Sequence, residues 1–278
     1  MKTMAEAAIG VFDSGLGGLT CVKELLALMP NENIIYFGDT ARVPYGNRSQ
    51  KTISRYASQA IDFLLSNNVK LLINACGTMS SSLDLAYTKS LPVSYIDCIS
   101  PAVEAAVQAT KSKRVGIVAT SATVSSRSFE RAISDTEQTI EIFSKACPLF
   151  VPLVEYGYIS SKNRITRLVA EDYLLSFKNE GIDTLILGCT HYPIISEIIS
   201  DVIGKDITLI DSGAEAAKQA AKQPLKGALG KSKEGKLKVY ISDNPIGFLD
   251  VATRFLGFQP NDVEQIDIET LEESRNNS

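Results

Sequence analysis

Short apolar runs alternate along this chain with longer stretches of helical periodicity. Ala8–Phe12, Ile34–Phe37, Val69–Ile73 and Val93–Ile96 are apolar enough to be strands buried on both faces. Each is followed by a segment with apolar residues at three- and four-residue spacing: Leu19–Met29 (closed by Pro30), Gln50–Ser66, Ser80–Thr88 and Pro101–Ala109. Between them, Ala41–Arg48 has no periodicity and carries Pro44 and Gly46, which predicts an exposed loop. Strands alternating with helices at these lengths predict a doubly wound parallel α/β architecture.

The pattern then restarts. Arg114–Ala119 reads as a strand, and Thr120–Thr123 turns into a helix as the chain does at Asp13. Leu168–Phe177 reads as a helix that leads through Gly181 into the apolar run ending at Leu187, and the segment from Pro193 reads as the first turns of another helix. Tyr173–Cys189 repeats the plan of Phe63–Cys76: helix, break, strand, small residues, cysteine, helix. This is an internal repeat of about 100 residues, one α/β unit per copy. After Thr208–Ile210, the helix Ala214–Ala221, the polar loop Lys222–Gly235, the strand Leu237–Ser242, the helix Phe248–Leu256 and the strand Val263–Ile268 are too few for a third unit. They are expected to return and complete the first. The expected fold is therefore two similar doubly wound parallel-sheet α/β domains related by pseudo-symmetry, residues 1–98 with 212–278 and residues 99–211. The active site would lie in the cleft between them. Glu272–Ser278 is polar and expected to fray.

Two strand ends carry chemistry. Gly188-Cys189-Thr190-His191-Tyr192-Pro193 places a thiol where a strand gives way to a helix, and Asn74-Ala75-Cys76-Gly77-Thr78 does the same in the other copy. Open α/β sheets place ligands at this edge, and a helix N-terminus draws a thiol pKa downward. A thiol on each wall of a cleft is what a two-base proton exchange at a stereocentre needs: one thiolate removes a proton from one face, and the other thiol delivers one to the opposite face. The competing reading is that cysteine simply packs; two in matching contexts weigh against it. Cys21, Cys98 and Cys147 sit in apolar surroundings and read as packing residues.

Composition removes several alternatives. A net charge of −4 offers no electrostatic footprint for nucleic acid. No apolar stretch approaches the roughly 18 residues of a membrane span, and Met1–Glu6 makes a poor signal peptide. An odd cysteine count of five suggests a reduced, cytoplasmic protein. His191 is the only histidine, so Cys189-x-His191 is half a metal site with no second pair, and no metal is expected.

Asp13-Ser14-Gly15-Leu16-Gly17-Gly18, Gly38-Asp39-Thr40, Pro44-Tyr45-Gly46, Asn74-Ala75-Cys76, Cys147-Pro148-Leu149 with Val151-Pro152 and Glu155, and Gly188–Pro193 together resemble the glutamate racemases. The resemblance runs from about Ile9 to Ser212 and weakens beyond it. It implies interconversion of L- and D-glutamate without cofactor, supplying D-glutamate for peptidoglycan, in an enzyme that is often a homodimer. It also implies that Cys76 and Cys189 are the acid/base thiols, that Asp13 assists Cys76, and that Glu155 and His191 assist Cys189. Asp13, Ser14, Tyr45, Gly46, Gly77, Thr78 and Thr190 would meet the substrate alongside the two thiols. The chain departs from the family at Gly77, where many members carry Asn. A lost amide would weaken substrate binding by on the order of 1 kcal/mol, unless the bare backbone N–H takes its place.

Other readings stay open on the residues alone. Gly15-x-Gly17 after a strand, with Asp39 ending the next, suggests a dinucleotide-binding oxidoreductase, but Thr20 stands where that fingerprint needs its third glycine. An aspartate racemase shares the two-thiol logic; His191, where that relative tends to carry an acidic residue, favours glutamate. A non-enzymatic binding module would tolerate Cys76→Ser.

Overall fold

The computed structural model describes residues 7–224, 234–244, 246–268 and 271. The expected loop Lys222–Gly235 lies largely outside these residues, and Met1–Glu6 and Glu272–Ser278 lie wholly outside them. Ten strands are described: β1 (Ala8–Asp13), β2 (Ile34–Gly38), β3 (Val69–Asn74), β4 (Ser94–Asp97), β5 (Arg114–Ala119), β6 (Glu141–Ala146), β7 (Thr184–Leu187), β8 (Thr208–Asp211), β9 (Leu237–Ile241) and β10 (Val263–Gln265). They form two sheets, one of six strands in the order β10-β9-β2-β1-β3-β4 and one of four in the order β6-β5-β7-β8. Every pairing is parallel.

The molecule is thus two parallel-sheet α/β domains, and the order β2-β1-β3-β4 recurs as β6-β5-β7-β8. The central strands of both are fully buried, Ile9, Val11 and Phe12 in one and Val115, Ile117 and Val118 in the other, which is why they read as continuous apolar runs. β9 and β10 extend the first sheet beyond β2, with Ile34 opposite Leu237 and Phe37 opposite Tyr240. Parallel strands deliver their carboxyl ends to one edge of a sheet, so Asp13 and Cys76 emerge together from the first. Thr120 and Cys189 emerge together from the second.

Four details depart from expectation. The helix expected over Ser80–Thr88 is broken into Gly77–Ser80 and Leu85–Lys89. Ser81 and Ser82 hydroxyls both donate to the Thr78 carbonyl, and Asp84 caps the second piece by accepting from Ala86 and Tyr87 N–H groups. This run of hydroxyls and a carboxylate offers the backbone local partners that compete with helix. β6 escaped the pattern because it is a half-buried edge strand carrying Glu141, Ser144 and Lys145. The closing strand stops at Gln265. The Ala41–Arg48 loop is not wholly exposed: Arg42 and Tyr45 are buried in it.

Candidate active site

The first wall of the cleft is built by the turn after β1. Asp13 is buried, and its Oδ2 accepts from the backbone N–H groups of Gly18 at 3.0 Å and Gly15 at 3.4 Å. Its Oδ1 is buried with no hydrogen-bond partner. A carboxylate oxygen left bare in this way is a standing demand for a donor or a cation. Cys76, just past β3, donates from its backbone N–H to Asn74 Oδ1 at 3.2 Å and from its thiol to Ser14 Oγ at 3.5 Å. Burial, and then the Asp13 charge, push this thiol well above its ordinary range, against the weaker opposing effect of Ser14. Both effects favour the neutral thiol at Cys76.

The second wall is built differently. Cys189 Sγ lies 3.9 Å from His191 Nδ1, and His191 Nε2 lies 2.9 Å from Glu155 Oε1. Burial disfavours a charged imidazole here, but the hydrogen bonds and charges of Cys189 and Glu155 outweigh it and raise the His191 pKa to about 10. At neutral pH the ring is an imidazolium, with one N–H toward the Cys189 sulfur and the other toward the carboxylate. Glu155 ends the helix Phe150–Glu155, and its side chain is 44% exposed, so the far end of the pair is wet.

Two glycines let the walls touch. A Cβ on Gly17 would stand 2.2 Å from Thr190 Oγ1 and 2.5 Å from His191 Nδ1, and one on Gly77 would stand 2.4 Å from the Gly188 carbonyl oxygen. No real side chain tolerates such separations, so bare backbone is what allows the two strand ends to approach. Thr20 adds a hydrogen bond across the seam, its hydroxyl shared between the carbonyls of Gly17 at 2.8 Å and Thr190 at 3.2 Å.

Between the walls lies a cavity of about 440 Å³. Every site candidate named from the sequence lines it: Asp13, Ser14, Tyr45, Gly46, Cys76, Gly77, Thr78, Glu155, Cys189, Thr190 and His191. Tyr45 presents its ring rather than its hydroxyl, which is bonded to buried Asp39; Asp39 is also held by Arg42 Nε at 2.6 Å and Ser242 Oγ at 2.8 Å. That network anchors the loop, and a Cβ added to Gly46 would stand 3.6 Å from Thr120 Cβ on the opposite wall.

Thr120 and Ser121 also line the cavity and were not singled out from the sequence. Thr120 Oγ1 meets Thr78 Oγ1 at 2.9 Å and Thr123 Oγ1 at 2.9 Å, so three hydroxyls cluster at one end. The repeat held the signal: Thr120-Ser121 leads out of β5 as Asp13-Ser14 leads out of β1. Among the described lining residues there is no lysine or arginine, so an anionic ligand would be met by hydroxyls, backbone N–H groups and the His191 imidazolium. No group of three or more His, Cys, Asp or Glu side chains among the described residues could hold a metal ion.

Fold and site together define a class: two like α/β domains, each offering one thiol to a shared cavity. Comparison with known proteins agrees. The family model for Asp/Glu/hydantoin racemases matches residues 14–220. The glutamate racemase of Chlorobaculum tepidum is 45% identical over 95% of this chain and 98% of its own length. That of Geobacter metallireducens is 41% identical over 97% of this chain and 100% of its own. Among solved structures, the glutamate racemase of Francisella tularensis in complex with D-glutamate superposes with a TM-score of 0.88 at 38% identity, covering 96% of this chain and 99% of that one. The chain belongs to the Asp/Glu/hydantoin racemase family, and within it to the glutamate racemases with which it aligns end to end.

Proposed function

We propose that the protein interconverts L- and D-glutamate by exchanging the Cα proton between Cys76 and Cys189. The observation that carries this reading is the placement of one thiol on each wall of a single cavity, each with its own polar partner. The thiolate of one wall removes the Cα proton, and the C–H electron pair moves toward the substrate carboxylate. The thiol of the other wall then gives its proton to the opposite face of Cα. The net change is inversion, and the protein's two thiols have exchanged protonation states. No cofactor enters this route.

The substrate's own charges suit the site. Its ammonium, placed by Asp13 Oδ1, satisfies the bare oxygen and offsets the negative charge that holds the Cys76 thiol up. Cys76 can then become a base without any change in the protein. The carboxylates fall to Thr190, to the Thr78 and Thr120 hydroxyls that line the cavity, to Ser14 and to the N–H groups of Gly77 and Gly46. The Gly77 N–H thereby stands in for the amide that many relatives carry. The His191 imidazolium stabilises Cys189 as thiolate in one direction and resupplies its proton in the other.

The boundaries that accompany this reading are 1–98 with 212–278 and 99–211, supported by the return of β9 and β10 to the first sheet. A cytoplasmic homodimer supplying D-glutamate to peptidoglycan completes it. Five free cysteines, all buried, favour a reducing compartment. Exposed Val43 and Tyr156 at the cavity mouth favour a covering copy. Incubation with L-glutamate in deuterated water should give D-glutamate carrying deuterium at Cα. Failure of either isomer to exchange would overturn the reading.

A further inference from the structure

The helix that presents Glu155 is too short to hold its own shape: Phe150–Glu155 is six residues long. Its last turn is held from outside. Arg254, on the helix Phe248–Leu256, donates from Nη1 to the carbonyl oxygens of Val154 at 3.1 Å and Glu155 at 3.0 Å. The Val154 carbonyl also accepts from the Gly157 N–H at 3.1 Å, and a cation bonded to the last carbonyls of a helix is favourably placed. The chain then turns away at Gly157, φ +83°, where a Cβ would stand 3.2 Å from Arg254 Nη2. One residue beyond Arg254, Phe255 packs edge-on against the His191 ring, with centroids 5.2 Å apart and planes at 82°.

Both contacts come from the opposite domain. The helix Phe248–Leu256 lies between β9 and β10 of the six-stranded sheet and packs on the helix Leu19–Leu28. Cys76, by contrast, draws Asp13, Ser14 and Asn74 from its own domain. We propose that Arg254 and Phe255 are positioning residues for the Glu155–His191 pair, so that the acid–base partner of Cys189 is aligned only when the two domains are docked. The catalytic consequence rests on the racemase reading above; the alignment itself does not.

The sign of one measurement separates alignment from simple charge. The titratable groups facing His191 are Cys189 and Glu155, whereas Arg254 bonds only backbone carbonyls. Removing a nearby cation would, by charge alone, raise the His191 pKa; loosening its carboxylate partner lowers it. His191 is the sole histidine, so its imidazole nitrogens can be followed without ambiguity by nitrogen-15 NMR. Arg254→Ala should lower the titration midpoint by about one pH unit or more, and Phe255→Leu should lower it by about half a unit. In a Glu155→Ala background, Arg254→Ala should have no further effect on His191, which a general loosening of the fold would not reproduce. Arg254→Lys keeps a cation but not the bridging guanidinium and should fall between wild type and Arg254→Ala; it also answers the question if the alanine variant does not fold. Under saturating glutamate, kcat should fall at least about tenfold in Arg254→Ala with little change in KM. An unmoved or raised midpoint in the folded variants overturns the inference. A lowered midpoint in a protein that racemises no glutamate would uphold the alignment and discard the racemase reading.

Discussion

The two walls of the cavity carry the same reagent in different surroundings. Around Cys76 there is a buried carboxylate with one bare oxygen, a serine hydroxyl and an asparagine, all from one domain. Around Cys189 there is an imidazolium backed by a half-exposed glutamate and braced from the other domain. The first environment keeps its thiol protonated until the substrate brings a compensating charge; the second supplies a cation of its own. The two domains therefore share a strand order but differ where the chemistry is. Because the two products are enantiomers with an equilibrium constant of unity, kcat/KM must be equal in both directions. The asymmetry can appear only in the separate values of kcat and KM, in isotope effects and in pH dependence.

The largest effect should come from removing either thiol. Cys76→Ser and Cys189→Ser should each reduce racemisation by at least about a hundredfold in both directions, since each direction needs one base and one acid. Either variant racemising at the wild-type rate breaks the pairing of the walls. The partial reactions sharpen it: each variant should still exchange the Cα proton of only one enantiomer with deuterated water, a different one in each case.

A smaller effect is expected where the walls touch. Gly77→Ala puts a methyl group 2.4 Å from the Gly188 carbonyl oxygen. Backbone cannot yield there as a side-chain tip can, so the domains must part slightly, at a cost of about 1–3 kcal/mol in folding stability. Denaturant titration should show this loss, with kcat lowered in both directions alike. Unchanged stability and kcat would mean that the seam does not set the distance between the thiols.

The smallest effect is one of pH. His191 has a folded pKa of about 10 against an ordinary value of 6.5, so between these limits the folded state binds the extra proton. Its contribution is fully present below about pH 6.5, declines as pH rises and is gone above about pH 10. With Glu155 half exposed, solvent screening limits the sum to on the order of 1 kcal/mol. Wild-type and His191→Asn proteins compared by denaturation from pH 6 to 10 should converge as pH rises. A constant gap would mean that the proton is not shared as the geometry indicates.

Much of this was legible in the chain itself. Buried parallel strands advertise themselves as apolar runs, and the glycines and thiols that end β3 and β7 marked the two walls because one copy of the repeat could be read against the other. The Thr120–Ser121 turn was equally available by that logic but lacks a reactive group to draw the eye. β6 was hidden by its polar edge position, and the broken helix after Cys76 by hydroxyls whose preference for local bonding is invisible to periodicity. The burial of Tyr45 depends on Asp39, Arg42 and Ser242, and the bracing of Glu155 on Arg254. Contacts of that range leave no trace in local pattern.

The return of β9 to the first sheet has a consequence for how the molecule is made. As the chain emerges during synthesis, β1–β4 can assemble early, but β2 then stands at an open edge, its partner Leu237–Ile241 still unmade. Both thiols exist long before Phe255 and Arg254 do. Sealing of the edge and alignment of His191 thus arrive together, once Leu237–Leu256 has been made, so a nascent chain stopped short of that point carries two cysteines but no finished pair of walls.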